Sequence, residues 1–183
     1  MKPKILITGA NGFIGSFIVL EALREGLDVY SCVRKNSDTQ SLQSLDTTIL
    51  EVNYNDVSEL ALLIRKYQFD YIVHNAGLTK SPDPEELIKI NKGLLVNIID
   101  AIRSSETNIK KLIYISSIAA YGPADKTVDG ILRDDTTPSP VTHYGKSKLV
   151  AETYLKQQKD IPYIILRPTV VYGPREKDLL NVF

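Results

Sequence analysis

A short apolar run, Ile5-Leu6-Ile7, breaks into three glycines at three-residue spacing, Gly9, Gly12 and Gly15, and a helix-period pattern follows through Phe13, Ile14, Phe17, Ile18 and Ala22. The order strand, tight turn, helix constrains this chain more than any other feature, because each glycine has its own physical task. Gly9 permits the turn, Gly12 lets backbone approach a diphosphate, and Gly15 lets the helix pack closely on the strand. The helix N-terminus then presents free N–H groups and the positive dipole end to phosphate. Three spaced glycines alone also fit a plain strand-to-helix turn; their place after a strand and before a helix is what favours a dinucleotide site. Asn11, Phe13 and Ile14 belong to the same turn and join the glycines as candidate cofactor contacts. A P-loop reading fails, because no Gly-Lys-Ser/Thr follows Gly9 at the required spacing and Gly15 is followed by Ser16.

At 183 residues the chain has the size of one ordinary domain, and 43% hydrophobic residues suffice for a core. Its 22 basic and 22 acidic residues balance, so no global field draws it to nucleic acid or an anionic membrane, and a phosphate-bearing ligand needs a local site. The single cysteine, Cys32, lies in an apolar run and reads as a small buried hydrophobe. The apolar run after Lys4 is too short for a signal peptide and no stretch approaches a membrane span, so the expected location is the cytoplasm. No metal-binding spacing is evident.

After Gly26, which suits a helix end, Asp28 to Val33 reads as a second strand, 35–44 as a loop or short helix, and Thr47 to Val52 as a third strand. Asp56 can cap a helix to Tyr67, and Asp70 onward forms a fourth strand that breaks at His74-Asn75-Ala76-Gly77. Pro82 and Pro84 precede a long helix over about 85–105; a fifth strand spans 110–116, a helix about 142–159, and a sixth strand 163–167, closed by Pro168. Strands alternating with helices predict an α/β fold with a doubly wound parallel sheet of six strands. Ligands of such sheets bind beyond the carboxyl ends of the strands, where the glycines, Arg34, 74–77, Ser116, Ser117 and Pro168 fall.

Tyr144 and Lys148 stand at i, i+4 on the predicted helix and share a face. A phenol with a free pKa of about 10 is a poor base at neutral pH, and a nearby ammonium favours its phenolate. Such a pair can take or return a hydroxyl proton. The spacing alone is weak, and two solvated helix residues are the alternative.

Four segments occur in order: Thr-Gly-Ala-Asn-Gly-Phe-Ile-Gly at 8–15, Ile-Ser-Ser-Ile-Ala-Ala-Tyr-Gly at 115–122, Tyr-Gly-Lys-Ser-Lys at 144–148, and Leu-Arg-Pro-Thr-Val-Val-Tyr-Gly-Pro at 166–174. Together they closely resemble the extended short-chain dehydrogenase/reductase family, its NAD-dependent epimerase/dehydratase group, over nearly the whole chain. The resemblance implies a Rossmann fold and a cytoplasmic homodimer packed through the helices at about 85–105 and 142–159. It makes Tyr144 the catalytic base or acid, has Lys148 lower the pKa of Tyr144 and hold the nicotinamide ribose, and places Ser117 where the family hydrogen-bonds the reacting oxygen. Asn53 takes the place of the usual Asp beside adenine, and Ala76 and Gly77 lie in the cofactor-lining loop. His74 reads as structural and Asn91 as a supporting helix residue. His143 neighbours Tyr144, with a surface position as the blander reading.

An NAD site usually carries Asp or Glu about 20 residues after the glycines, whereas this chain has Val33-Arg34-Lys35. Arg34, assisted by Lys35, can accept a 2′-phosphate, which favours NADP over NAD; the alternative is that both are solvated loop charges. The family's 4,6-dehydratases carry Asp-Glu after the catalytic Ser or Thr, and Ile118-Ala119 here disfavours that reaction. The resemblance thus implies hydride transfer between nicotinamide and a hydroxyl-bearing carbon, of a nucleotide sugar in an epimerase. The alternatives are an NADP-dependent carbonyl reductase of dihydroflavonol-reductase type and a non-catalytic dinucleotide sensor, which has no use for Ser117, Tyr144 and Lys148 together. The expected division is a dinucleotide-binding domain over 1–170 and the start of a substrate-binding portion over 171–183. The family's substrate portion follows Tyr-Gly-Pro, so this chain is expected to lack most of it and to turn over little substrate.

Overall fold

The computed structural model describes residues 2–124, 130–133 and 135–176. Six parallel strands, β1 (Lys4–Thr8), β2 (Asp28–Arg34), β3 (Thr48–Val52), β4 (Tyr71–His74), β5 (Lys111–Ile115) and β6 (Tyr163–Leu166), form one sheet in the order β3-β2-β1-β4-β5-β6. Four helices connect them: α1 (Phe13–Arg24), α2 (Val57–Tyr67), α3 (Pro84–Ser105) and α4 (His143–Gln157). The order turns back between β1 and β4, and a crevice opens there at the strands' carboxyl ends. The predicted sheet and all four helices are present, with ends shifted by one or two residues. The 35–44 segment holds a 3-10 turn, Gln40–Leu42.

Strand alternation divides the core between the two sheet faces. Ile5 and Ile7 face the side covered by α1, where they pack with Val19, Val29, Val33 and Val73. Leu6 faces the other side and joins Ile72, Leu112 and Tyr114 under α2, α3 and α4, through Leu60, Ile64, Leu95, Ile98 and Leu155. Both faces are therefore apolar along the central strands, as a parallel sheet requires. The edge strands β3 and β6 bury one side at most, and Ile164 and Leu166 of β6 are exposed.

Local signals set the helix ends. Asp56 accepts from Glu59 N, Asp83 from Glu85 N with Pro84 in the first turn, and Thr142 from Gly145 N. Thr142 is thus the cap of α4 rather than its first residue, and the helix closes at Gln157 before the turn to Pro162. Gly26, at φ +76°, carries the chain from α1 into β2. No helix among the described residues is long and apolar enough to cross a membrane.

Candidate functional site

The turn after β1 is built around missing side chains. Gly9 sits at φ +62°, where a Cβ would come 2.9 Å from the Ala76 Cα, and a Cβ on Gly15 would lie 2.1 Å from the Gly9 carbonyl oxygen. α1 therefore starts against the turn only because position 15 is glycine. Gly12 caps α1 with no side-chain acceptor, and the first turn of α1 has no acidic residue, which suits an anion at the helix N-terminus. Gly15→Ala forces backbone apart and is expected to cost roughly 2–3 kcal/mol and to weaken dinucleotide binding at least tenfold. Gly93→Ala, in α3 with nothing within 4 Å of the added methyl, is the control and is expected to stabilise by about 0.5–1 kcal/mol. Thermal unfolding and dinucleotide titration of both variants check the pair.

The crevice is a cleft of about 1370 Å³ at the strands' carboxyl ends. Of the predicted cofactor contacts, Gly9, Asn11, Gly12, Phe13 and Ile14 line its first wall; Arg34, Lys35 and Asn53 line the end beyond β2 and β3. Ala76 and Gly77 form the wall after β4, and Ser117, Tyr144 and Pro168 close the far end. Gly15 and Lys148 do not line it. Gly15 packs behind Gly9, and Lys148 lies buried beneath Gly77, its Nζ 3.6 Å from the position a Gly77 Cβ would take. Arg34 and Lys35 are exposed on the cleft rim, flanked in sequence by Val33 and Asn36 rather than by an acidic residue.

Ser117 follows β5 and its Oγ accepts from Ala119 N at 3.2 Å, capping a 3-10 turn. α4 meets that turn closely, since a Cβ on Gly145 would lie 2.2 Å from the Ala119 carbonyl oxygen. Glycine at 145 thus lets α4 seat Tyr144 beside the 117–119 turn, with the Ser117 hydroxyl as a polar neighbour of its phenol. Burial raises the Tyr144 phenol above its ordinary value, and the neighbouring Ser117 hydroxyl offsets part of that rise. The lowering expected from Lys148 is not what this geometry produces. Its Nζ donates to the Ile115 carbonyl at 2.9 Å and stands 5.9 Å from the Tyr144 ring centroid. Burial pushes Lys148 itself down to about 8, against the opposing pull of Glu152, so it remains an ammonium at neutral pH.

Supporting residues complete the site. Asn91 of α3 is buried; its side chain bonds Leu78 N at 2.8 Å, Leu78 O at 2.9 Å and Ser147 Oγ at 2.8 Å, tying the 77–78 loop to α4. His74 is fully buried and bonded to Thr8, while His143 is exposed on the rim of a smaller pocket beside Tyr144. Two contributors escape the sequence reading. The Tyr54 hydroxyl accepts from Gly9 N at 3.1 Å and donates to Cys32 O at 2.7 Å, bracing the glycine turn from β3's end; nothing in the sequence marks it. Glu152 is wholly buried, accepts from Ser116 Oγ at 2.6 Å and takes two bonds from Arg167, at 2.9 and 2.8 Å. Its place four residues after Lys148 on one helix face is the signal that was there to read. Cys32 is buried with its thiol pushed up to about 12, as a packing residue. Among the described residues no group of three or more His, Cys, Asp or Glu converges as a metal site.

The sequence model of the NAD dependent epimerase/dehydratase family matches residues 5–182. A UDP-glucose 4-epimerase of Lactobacillus helveticus is 26% identical over 183 residues, 93% of this chain and 52% of its own length. Among solved structures, the UDP-glucose 4-epimerase of Thermus thermophilus in complex with NAD superposes with a TM-score of 0.81 at 25% identity, covering 95% of this chain and 57% of that one. The Bordetella bronchiseptica enzyme WbmG in complex with NAD and UDP gives 0.79 at 25% identity, over 96% and 56%. The chain spans about half the length of these relatives. With the family match over almost every residue and the sheet order, glycine turn and cleft in place, the chain belongs to the NAD-dependent epimerase/dehydratase family.

Proposed function

We propose that this chain holds a nicotinamide adenine dinucleotide in the cleft and supplies proton transfer for oxidation or reduction at a hydroxyl-bearing carbon, in an epimerase acting on a nucleotide sugar. The observation that carries this is Ser117 and Tyr144 together closing one end of a cleft whose other wall is the glycine turn. The residues fit the group: a side chain at 9 or 15 would collide with backbone, and the uncapped α1 N-terminus suits a diphosphate. The nicotinamide, when bound, accepts or returns a hydride. Tyr144 takes the substrate hydroxyl proton or gives it back, and Ser117 donates to the reacting oxygen. Lys148 keeps positive charge beneath the pair at neutral pH. The relatives' names support the nucleotide-sugar assignment: a UDP-glucose 4-epimerase at 26% identity and a solved enzyme holding both NAD and UDP.

A second reading, an NADP-dependent carbonyl reductase, is favoured by Arg34 and Lys35 on the cleft rim. A guanidinium there matches a 2′-phosphate in charge and geometry. NADP is therefore expected to bind more tightly than NAD, by about tenfold, with Arg34→Ala removing the difference. Ligand-dependent melting shifts with each dinucleotide measure this. NAD preference, unchanged in Arg34→Ala, overturns the NADP assignment and leaves an epimerase with bystander charges. Conversion of an added UDP-hexose into its 4-epimer, followed by NMR of the sugar, tests the epimerase reading. A homodimer through α3 and α4 belongs to the same proposal, supported by half-buried Leu149 and Val150 on α4.

A further inference from the structure

Thr8 ends β1 and His74 ends β4; they are register partners at the point where the strand order reverses, and both are fully buried. The Thr8 Oγ accepts from Asn75 N and from Ala76 N, each at 3.1 Å, and lies 3.0 Å from His74 Nδ1. A hydroxyl has two acceptor lone pairs and one proton. The two amides occupy both lone pairs, so the proton must point at Nδ1, which is then the unprotonated ring nitrogen. The ring proton of His74 therefore resides on Nε2.

We propose that His74 is a positioning residue of the dinucleotide cradle: as a neutral ring with its proton on Nε2, it fixes the Thr8 hydroxyl that anchors the backbone of 75–77. That backbone is one wall of the cleft. Ala76 and Gly77 line it opposite Gly9, the position of a Gly9 Cβ lies 2.9 Å from the Ala76 Cα, and Asn75 Nδ2 donates to Gly9 O at 3.3 Å. Release of the Thr8 hydroxyl changes the spacing of the two walls. Burial and a neighbouring like charge oppose the ionisation of His74. Tyr114 of β5 stacks on it at 5.9 Å between ring centroids, Lys148 of α4 is a like charge, and Thr8 of β1 supplies a donor where imidazolium would need an acceptor. Burial together with Lys148 holds the ring down to about 3. Among the described residues neither His74 Nε2 nor the Tyr114 hydroxyl has a hydrogen-bond partner.

The binding consequence rests on the dinucleotide reading, whereas the tautomer does not. In protein labelled with 15N-histidine, the His74 resonances, assigned by their loss in His74→Phe, are expected to show a proton on Nε2 alone, unchanged between about pH 5 and 8. A proton on Nδ1, or titration in that range, overturns the proposal. In dinucleotide titrations, His74→Phe is expected to raise Kd about tenfold, and His74→Asn, whose amide oxygen can accept where Nδ1 does, to stay within about threefold of the parent. In a Thr8→Val background His74→Phe is expected to add less than about twofold. Independent, additive losses or no rescue by Asn contradict action through Thr8. Failure of the parent chain to bind either dinucleotide counts against the function proposed above, and the NMR result still decides the tautomer.

Discussion

Tyr144→Phe is expected to lower kcat of the catalytically competent protein by at least about a thousandfold while dinucleotide Kd changes less than about threefold. The change deletes one oxygen and leaves the ring in place. That oxygen lies with Ser117 at the end of the cleft, so its loss removes the proton donor and acceptor without opening the cofactor wall. Steady-state turnover and a binding titration on the same preparation check it. A dinucleotide sensor predicts the reverse, since its function survives loss of a phenolic proton.

Glu152→Ala is expected to be the most destabilising single change in the site. The carboxylate is wholly buried and holds Ser116 and Arg167 at once. Removing it takes the buried carboxylate away from a guanidinium whose side chain is only 19% exposed. Breaking a buried ion pair by deleting one partner costs about 3–5 kcal/mol, and the lower end applies here because Arg167 also rests on the Tyr121 ring, 4.5 Å from its centroid. At about 2–4 °C per kcal/mol for a chain of this size, Tm should fall by roughly 10 °C. Glu152→Gln, which keeps the volume, should lose less. Glu152 adds a side-chain link to strand ends already joined through the backbone, where Ser116 N donates to Leu166 O and Ile118 N to Pro168 O. A Tm drop under about 2 °C in Glu152→Ala contradicts the network's role.

The elements legible in the sequence are those whose cause is local. The glycine spacing, the Asp56 cap, the prolines before α3 and the short apolar strand runs each act within a few residues, and the parallel sheet follows from the alternation of strands and helices. The placement of Ser117 and most cofactor candidates around one cleft was legible for the same reason, since they follow carboxyl ends of parallel strands, whereas Tyr144 on α4 was singled out by its spacing to Lys148 and by the resemblance. What escaped depends on contacts across the sheet. Tyr54 reaches back from β3 to Gly9, Glu152 meets Arg167 fifteen positions away, and Thr8 meets His74 across sixty-six. The direction of the Tyr144 shift also escaped, because an i, i+4 spacing says nothing of burial. One N–H of the Lys148 ammonium goes to the Ile115 carbonyl, and desolvation decides the sign.

The most direct test of the central claim is to follow backbone amide shifts of the 15N-labelled chain while titrating NADP, then NAD. The account predicts saturable shifts centred on Gly9, Gly12, Ile14, Ala76 and Gly77, extending to Arg34 for the 2′-phosphate form. Shifts confined to other surfaces, or none with either dinucleotide, would contradict it.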